Sequence, residues 1–142
     1  MEGALPELEI TESLSDAEIG EIEEILDAAG REKGFHWNQQ RLEIVLRQDG
    51  RIVAGLRGKT ALRWLFVSTL AVAPECRGSG YGRKLMEEAE RVAIERGCQG
   101  IWLDTFSFQA PGFYAKLGFE RFGVIEDFPP GESRSFLMKR LV

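Results

Sequence analysis

Arg77-Gly78-Ser79-Gly80-Tyr81-Gly82 stands between two segments of opposite character. Before it, Trp64 to Ala73 is almost wholly apolar and is closed by Pro74, which reads as a buried strand. After it, Leu85, Met86, Ala89, Val92 and Ala93 fall at i, i+1, i+4, i+7 and i+8, one face of a helix. A strand therefore feeds a glycine-rich loop that opens a helix. Such a loop turns several backbone N–H groups toward one spot, where the helix dipole adds about half a positive charge. Its glycines let an anion approach the backbone with no Cβ in the way. A phosphate-bearing ligand is the expected occupant. Two common phosphate loops are excluded: Arg83 stands where a dinucleotide fingerprint needs its third glycine, and the Gly-Lys-Ser/Thr of a Walker loop is missing.

The 142 residues suffice for one domain, expected over 1–142, with about two-thirds of the unfolded surface buried around one core. A hydrophobic content of 44% with 29% charged residues is that of an ordinary globular protein. The longest apolar run is about ten residues, half a membrane span, and no leader pattern opens the chain, so a cytoplasmic protein without a membrane partner is expected. A net charge of −5 argues against nucleic acid and fits a cationic substrate, because a negative field attracts amines. Cys76 and Cys98 are too few for a disulfide framework and lack metal-ligand spacing, so reduced thiols and no metal are expected.

Leu8-Glu9-Ile10 reads as a short first strand, and Ser15-Asp16-Ala17-Glu18 as a capping box opening a helix that stops at Gly30. The pattern lapses from Arg31 to Gln40, a segment holding Phe35, His36 and Trp37. Asp49-Gly50 predicts a hairpin between the runs 42–46 and 52–56, and Gly58-Lys59 predicts a second turn ahead of Trp64. Strands at 100–104, 119–127 and 135–141 and a short helix at 110–117 complete the series. The order implies an α/β mixed sheet covered by helices. The unit from Trp64 to Leu103 should be a right-handed crossover joining parallel strands, with a ligand off their carboxyl ends.

Phe113-Tyr114-Ala115-Lys116-Leu117-Gly118-Phe119 adds a second constellation about thirty residues past the loop. With R-G-x-G-x-G after a strand, this F-Y-x-K-x-G-F resembles the paired signatures of the GNAT (N-acetyltransferase) superfamily. The run 103–111 and Gly123-Val124-Ile125-Glu126-Asp127 are similar to a subgroup of small bacterial acetyltransferases. The resemblance implies the GNAT fold: a mixed sheet of about seven strands with a splayed parallel pair, flanked by three to four helices. It implies acetyl-CoA as co-substrate and direct attack of an amine on the thioester.

Carried over by that resemblance, Leu70, Ala71 and Val72 hold the pantetheine arm through backbone, and the N–H of Leu70 is the oxyanion donor. Arg77, Gly78, Ser79, Gly80, Tyr81, Gly82 and Arg83 hold the pyrophosphate. Tyr114 is the general acid, and its phenol, ordinarily near pKa 10, stays protonated at pH 7. Ser107 stands where many members carry a cofactor-contacting asparagine. The carboxylate that many members place on the strand before the loop is absent here, so the base is open among Asp104, Glu126, Asp127, His36, a water chain and an amine that arrives neutral.

Glu126 and Asp127 are expected at the rim of the acceptor site, where adjacent carboxylates could hold an ammonium group. His36, Phe35 and Trp37 are expected to line that site, the plainer readings being a surface or packing histidine and two ordinary core rings. The expected partner is a small-molecule amine, with a homodimer across an edge left by the C-terminal strand pair. Two other functions fit the same features: a non-catalytic acyl-CoA sensor, which has no need of Tyr114, and an enzyme acting on a protein N-terminus or lysine.

Overall fold

The computed structural model describes residues 3–142, and the chain divides into two units after Trp37. In the first unit Ser15 caps helix α1, Asp16–Glu32. The Glu18 N–H donates to the Ser15 hydroxyl at 3.1 Å and the Ser15 N–H donates to the Glu18 carboxylate at 3.0 Å, the two arms of the capping box. The helix outruns Gly30 by two residues and closes where the N–H groups of Lys33 and Gly34 donate to the carbonyls of Gly30 and Arg31. Leu8-Glu9-Ile10 is not a strand, which corrects the expected count from seven strands to six. Three residues make a ladder only against a neighbour, and no other strand lies among the described residues up to Trp37.

The second unit, Asn38–Val142, is built on a six-stranded sheet. Its strands are β1 Gln40–Gln48, β2 Arg51–Ala61, β3 Trp64–Val72, β4 Gly100–Phe106, β5 Glu120–Glu126 and β6 Ser133–Arg140, in the spatial order β1-β2-β3-β4-β6-β5. Helix α2, Tyr81–Glu95, crosses between β3 and β4, which pair in parallel, and α3, Pro111–Lys116, links β4 to β5. Asp49 and Gly50 both take positive φ in the β1–β2 hairpin, as the primed turn requires.

The turn expected at Gly58-Lys59 lies instead at Leu62-Arg63. Gly58 is inside β2, where a Cβ would stand 2.3 Å from the Phe66 carbonyl oxygen. That glycine answers a close backbone approach rather than a reversal. The edge expected of the C-terminal strand pair is β5. β6 is paired on both sides, by β4 and by β5, and β5 forms the edge.

One face of the sheet makes the core. Leu85, Met86, Ala89 and Ala93 of α2 pack on Leu56, Leu65, Val67, Ile101, Leu103 and Leu137, all of them buried. The alternation that sends Ile101, Leu103 and Thr105 inward sends Trp102, Asp104 and Phe106 to the opposite face. The parallel ladder ends at Val67↔Leu103. One residue later Ser68 is bulged out of register with β2, since Val67 faces Gly58 while Thr69 faces Arg57. Past that bulge β3 keeps only β2 as a neighbour, and a cleft opens between the ends of β3 and β4.

Candidate active site

The Ala73 N–H donates to the Val53 carbonyl at 2.8 Å, which fixes the parity of the end of β3. Antiparallel pairing alternates, so Ala71 and Thr69 also turn their polar backbone groups to β2. Leu70 and Val72 therefore aim theirs the other way, toward the open side. The splay leaves those groups without a strand partner and makes the wall of the cleft a row of free donors and acceptors.

The cleft has a volume of about 960 Å³ and runs from the glycine loop to the end of β4. Leu70, Ala71 and Val72 line one wall, Arg77, Gly78, Gly80, Tyr81, Gly82 and Arg83 one end, and Asp104, Thr105, Phe106 and Tyr114 the other side. Gly78 and Gly80 take φ of 83° and 81°, a backbone that L side chains rarely adopt, and a Cβ at either would meet nothing of the protein within 4 Å. The space in front of both is open for a ligand. With the start of α2 directly behind, this end has the shape and dipole for a pyrophosphate.

Ser79 lies in the loop but does not line the cleft; its hydroxyl donates to the Cys76 carbonyl and so ties the loop together. Cys76 does line the cleft, whereas Cys98 is buried, and burial pushes its thiol pKa up. Ser107 is also spoken for by the fold. Its hydroxyl donates to the Glu132 carboxylate and accepts from the Ser133 N–H at 2.9 Å, joining the end of β4 to the start of β6.

Tyr114 is half-buried, edge-on to Phe113 at 5.1 Å and to Phe119 at 5.9 Å. Desolvation holds its phenol pKa above the ordinary value near 10, and the negative charge of Asp104 adds to the rise. Gln109 steadies the segment leading to it, accepting from the Phe106 N–H at 2.9 Å and from the Thr105 hydroxyl at 3.2 Å.

Of the four residues weighed as a base, Asp104 lines the cleft with Leu70 and Tyr114. Glu126 and Asp127 stand at the β5–β6 turn, exposed and outside the cleft lining, where Asp127 accepts weakly from the Gly131 N–H at 3.4 Å. His36 and Trp37 end the N-terminal unit, both exposed. Reading the sequence alone passed over Arg134. Its guanidinium grips Asp104 and lies 5.2–5.4 Å from the ring centres of Phe106, Phe128 and Phe136. No motif marks it; only the β4–β6 register, which sets Phe106 opposite Arg134 and Asp104 opposite Phe136, reveals the pair.

Comparison with known proteins identifies the family. The sequence pattern described as the Acetyltransferase (GNAT) family matches residues 8–119. The blasticidin-S acetyltransferase of Streptomyces morookaense is 41% identical over 95 residues, covering 66% of this chain and 70% of its own length. An acetyltransferase of Agrobacterium fabrum is 36% identical over 104 residues, 72% of this chain and 76% of its own. A crystal structure of an acetyltransferase from Bacillus cereus superposes with a TM-score of 0.83 at 34% identity, covering 94% of this chain and 98% of the other. The chain thus belongs to the GNAT acetyltransferase family, with the mixed sheet and splayed parallel pair of that fold, and is an acyl-CoA-dependent N-acyltransferase.

Proposed function

We propose that the protein transfers the acetyl group of acetyl-CoA to the primary amine of a small, cationic acceptor. The reading rests on one convergence: the outward backbone of Leu70, the carboxylate of Asp104 and the phenol of Tyr114 share a cleft whose far end is the glycine loop. Acetyl-CoA supplies an activated thioester, and the cleft runs from the glycine loop to the splayed strands.

The residues then divide the work. The N–H groups of the loop from Gly78 to Gly82, with Arg77 and Arg83, neutralise the pyrophosphate. The outward backbone of Leu70 and Val72 holds the pantetheine arm as a further strand would be held. The Leu70 N–H donates to the thioester oxygen as charge develops there. Asp104 draws in the acceptor's ammonium and takes one proton, freeing the nitrogen to attack the carbonyl carbon; the C–N bond forms as the C–S bond breaks, and the nitrogen gives up its second proton to solvent water. Tyr114 gives its phenolic proton to the departing sulfur and regains one from water. Burial that raises the phenol also disfavours a free thiolate in the same cleft, so the two stay matched.

The relatives favour a small molecule as acceptor, since one is named for acetylating blasticidin S. The aromatic wall of Phe106 and Phe108, stacked at 5.2 Å beside Asp104, suits a flat or cationic group better than an open peptide chain. A homodimer through the β5 edge belongs to the same reading, and Phe122 and Val124 are exposed there. A 16 kDa mass by light scattering at micromolar concentration argues against it.

The decisive experiment is a screen of nucleoside antibiotics, aminoglycosides, polyamines and peptides for coenzyme A release, repeated with Asp104→Asn. Loss of about 10²-fold in acceptor kcat/KM with unchanged acetyl-CoA affinity is expected. Acetyl-CoA binding without turnover on any amine would return the sensor function, and turnover on peptides alone would return the protein-modifying one.

A further inference from the structure

Asp104 and Arg134 are diagonal neighbours on one face of the β4–β6 pair, because Asp104 is opposite Phe136 and Phe106 opposite Arg134. A diagonal gap of about 7–8 Å is within the reach of an arginine. The usual carboxylate–guanidinium fork places one nitrogen on each oxygen. Here both donors fall on the same one: Nε donates to Oδ1 at 3.0 Å and Nη2 reaches Oδ1 at 2.9 Å. Among the described residues none donates to Oδ2.

The guanidinium is held for this task. Three phenyl rings, from β4, β6 and the β5–β6 connection, stand around it at 5.2–5.4 Å. The Asp104 side chain is only 16% exposed and lines the cleft. The charged group in contact with it is Arg134 from β6, Tyr114 from α3 lines the same cleft and feels its charge, and β3 brings none, since Trp64 to Val72 holds no ionisable side chain. A lone carboxylate on such a wall could turn about χ2 or fold back on the protein.

We propose that Arg134 is a positioning residue: by gripping Oδ1 alone it fixes the carboxylate plane of Asp104 and presents Oδ2 to the acceptor's ammonium. The inference rests on the role given to Asp104 above and goes beyond it, because it names the group that sets which oxygen meets the substrate. It also explains the three rings. They hold a guanidinium in one plane, which a bare charge requirement would not need, and a lysine would satisfy the charge without the two-pronged grip.

The test is a double-variant cycle read on the active acceptor, with Arg134→Gln, Asp104→Asn and the pair together, and with Arg134→Lys as the charge-preserving control. Arg134→Gln should lower kcat/KM for the acceptor about 10–100-fold, acting mainly on kcat if the amine still binds but meets a misplaced oxygen, and leave the acetyl-CoA dissociation constant unchanged. In the Asp104→Asn background the same change should cost less than about twofold, because the carboxylate it serves is gone. Arg134→Lys should recover only part of the loss. Full activity in Arg134→Gln, or losses that multiply in the double variant, would overturn the proposal while the Asp104 reading stands. Full activity in Asp104→Asn would remove both. A purely structural arginine would instead weaken acetyl-CoA binding and lower the melting temperature in both backgrounds alike.

Discussion

At the loop end of the cleft the chain offers backbone, and at the acceptor end it offers side chains. Gly78 and Gly80 are two residues apart, and their positive φ together with the start of α2 makes the proposed pyrophosphate cradle from one unbroken stretch. Asp104 and Arg134 lie thirty positions apart, and they meet only because β6 is laid antiparallel beside β4 in one register. The difference has a physical root. A ligand common to a family can be held by peptide groups that every sequence has, whereas a particular amine must be told apart by side chains. The first kind of site is written locally, and the second is written in the pairing of distant strands.

The largest effect that would sharpen this contrast is at Tyr114, which lines the cleft with Asp104. Removing its hydroxyl in Tyr114→Phe deletes a proton donor and leaves the ring packing against Phe113 and Phe119 in place. Turnover should fall roughly 10²–10⁴-fold with acetyl-CoA affinity little changed. Steady-state kinetics beside calorimetric binding measures both, and retention of more than about a tenth of the activity would take Tyr114 out of the mechanism.

Gly80→Val probes the backbone end and should come next in size. At φ 81° a β-branched residue costs roughly 1–3 kcal/mol of strain, and its methyls enter the open space in front of the loop. The protein itself leaves that space free, so the fold should persist. Acetyl-CoA affinity should drop by at least about tenfold, with acceptor recognition intact at saturating cofactor. Calorimetry showing parental affinity would mean that the loop does not hold the pyrophosphate.

The ease of reading followed the same division. The strand–loop–helix unit, the Asp49-Gly50 hairpin and the capping box at Ser15 are each decided by a few neighbouring residues, and each is legible in sequence. The outlier is Gly58, where a glycine that looked like a turn marks a contact with Phe66 across two strands. Leu8-Glu9-Ile10 misled for a related reason, since a strand is a property of a pair. Arg134 and its three rings were hidden because a slip of one residue in the β4–β6 register would have sent every side chain to the other face. One sequence does not reveal that register. It does reveal Asp104 as a carboxylate worth weighing, and only the cleft separates it from Glu126 and Asp127.

A smaller effect links the ends through the phenol. Burial first, and then the Asp104 charge, raise the Tyr114 pKa above its ordinary value near 10. The protonated form is the favoured one in the folded state. Its contribution to stability is therefore complete below about pH 10 and is lost as pH climbs through the raised value. The chain has two tyrosines, so an ultraviolet titration of the parent minus that of Tyr114→Phe isolates this group from Tyr81. It should ionise later than a free tyrosine, and Asp104→Asn should move it part of the way back. An unmoved titration in Asp104→Asn would mean that the Asp104 charge does not reach the phenol.

The smallest effect is expected at Glu126 and Asp127, and there the comparison is easiest to break. The net negative charge that made them attractive belongs to the first unit, with 11 Asp and Glu against 2 Lys and Arg. Eleven of the 23 acidic residues precede Asn38, while the unit that carries the cleft holds 16 Lys and Arg against 12 Asp and Glu. Within the unit that carries the cleft, Asp104 is the carboxylate in the cleft lining. At the turn, Asp127 adopts φ 55° and accepts from Gly131, both habits of an Asx turn residue that asparagine shares. Glu126→Gln with Asp127→Asn should accordingly keep the acceptor KM within about twofold, the usual range of a surface substitution, and leave its salt dependence unchanged. Side-by-side kinetics from 10 mM to 300 mM salt, over which the Debye length shrinks from about 30 Å to below 10 Å, decide the matter. A raised KM at low salt that vanishes at high salt would show the turn steering the acceptor after all, and the side-chain end of the cleft would then extend well past Asp104.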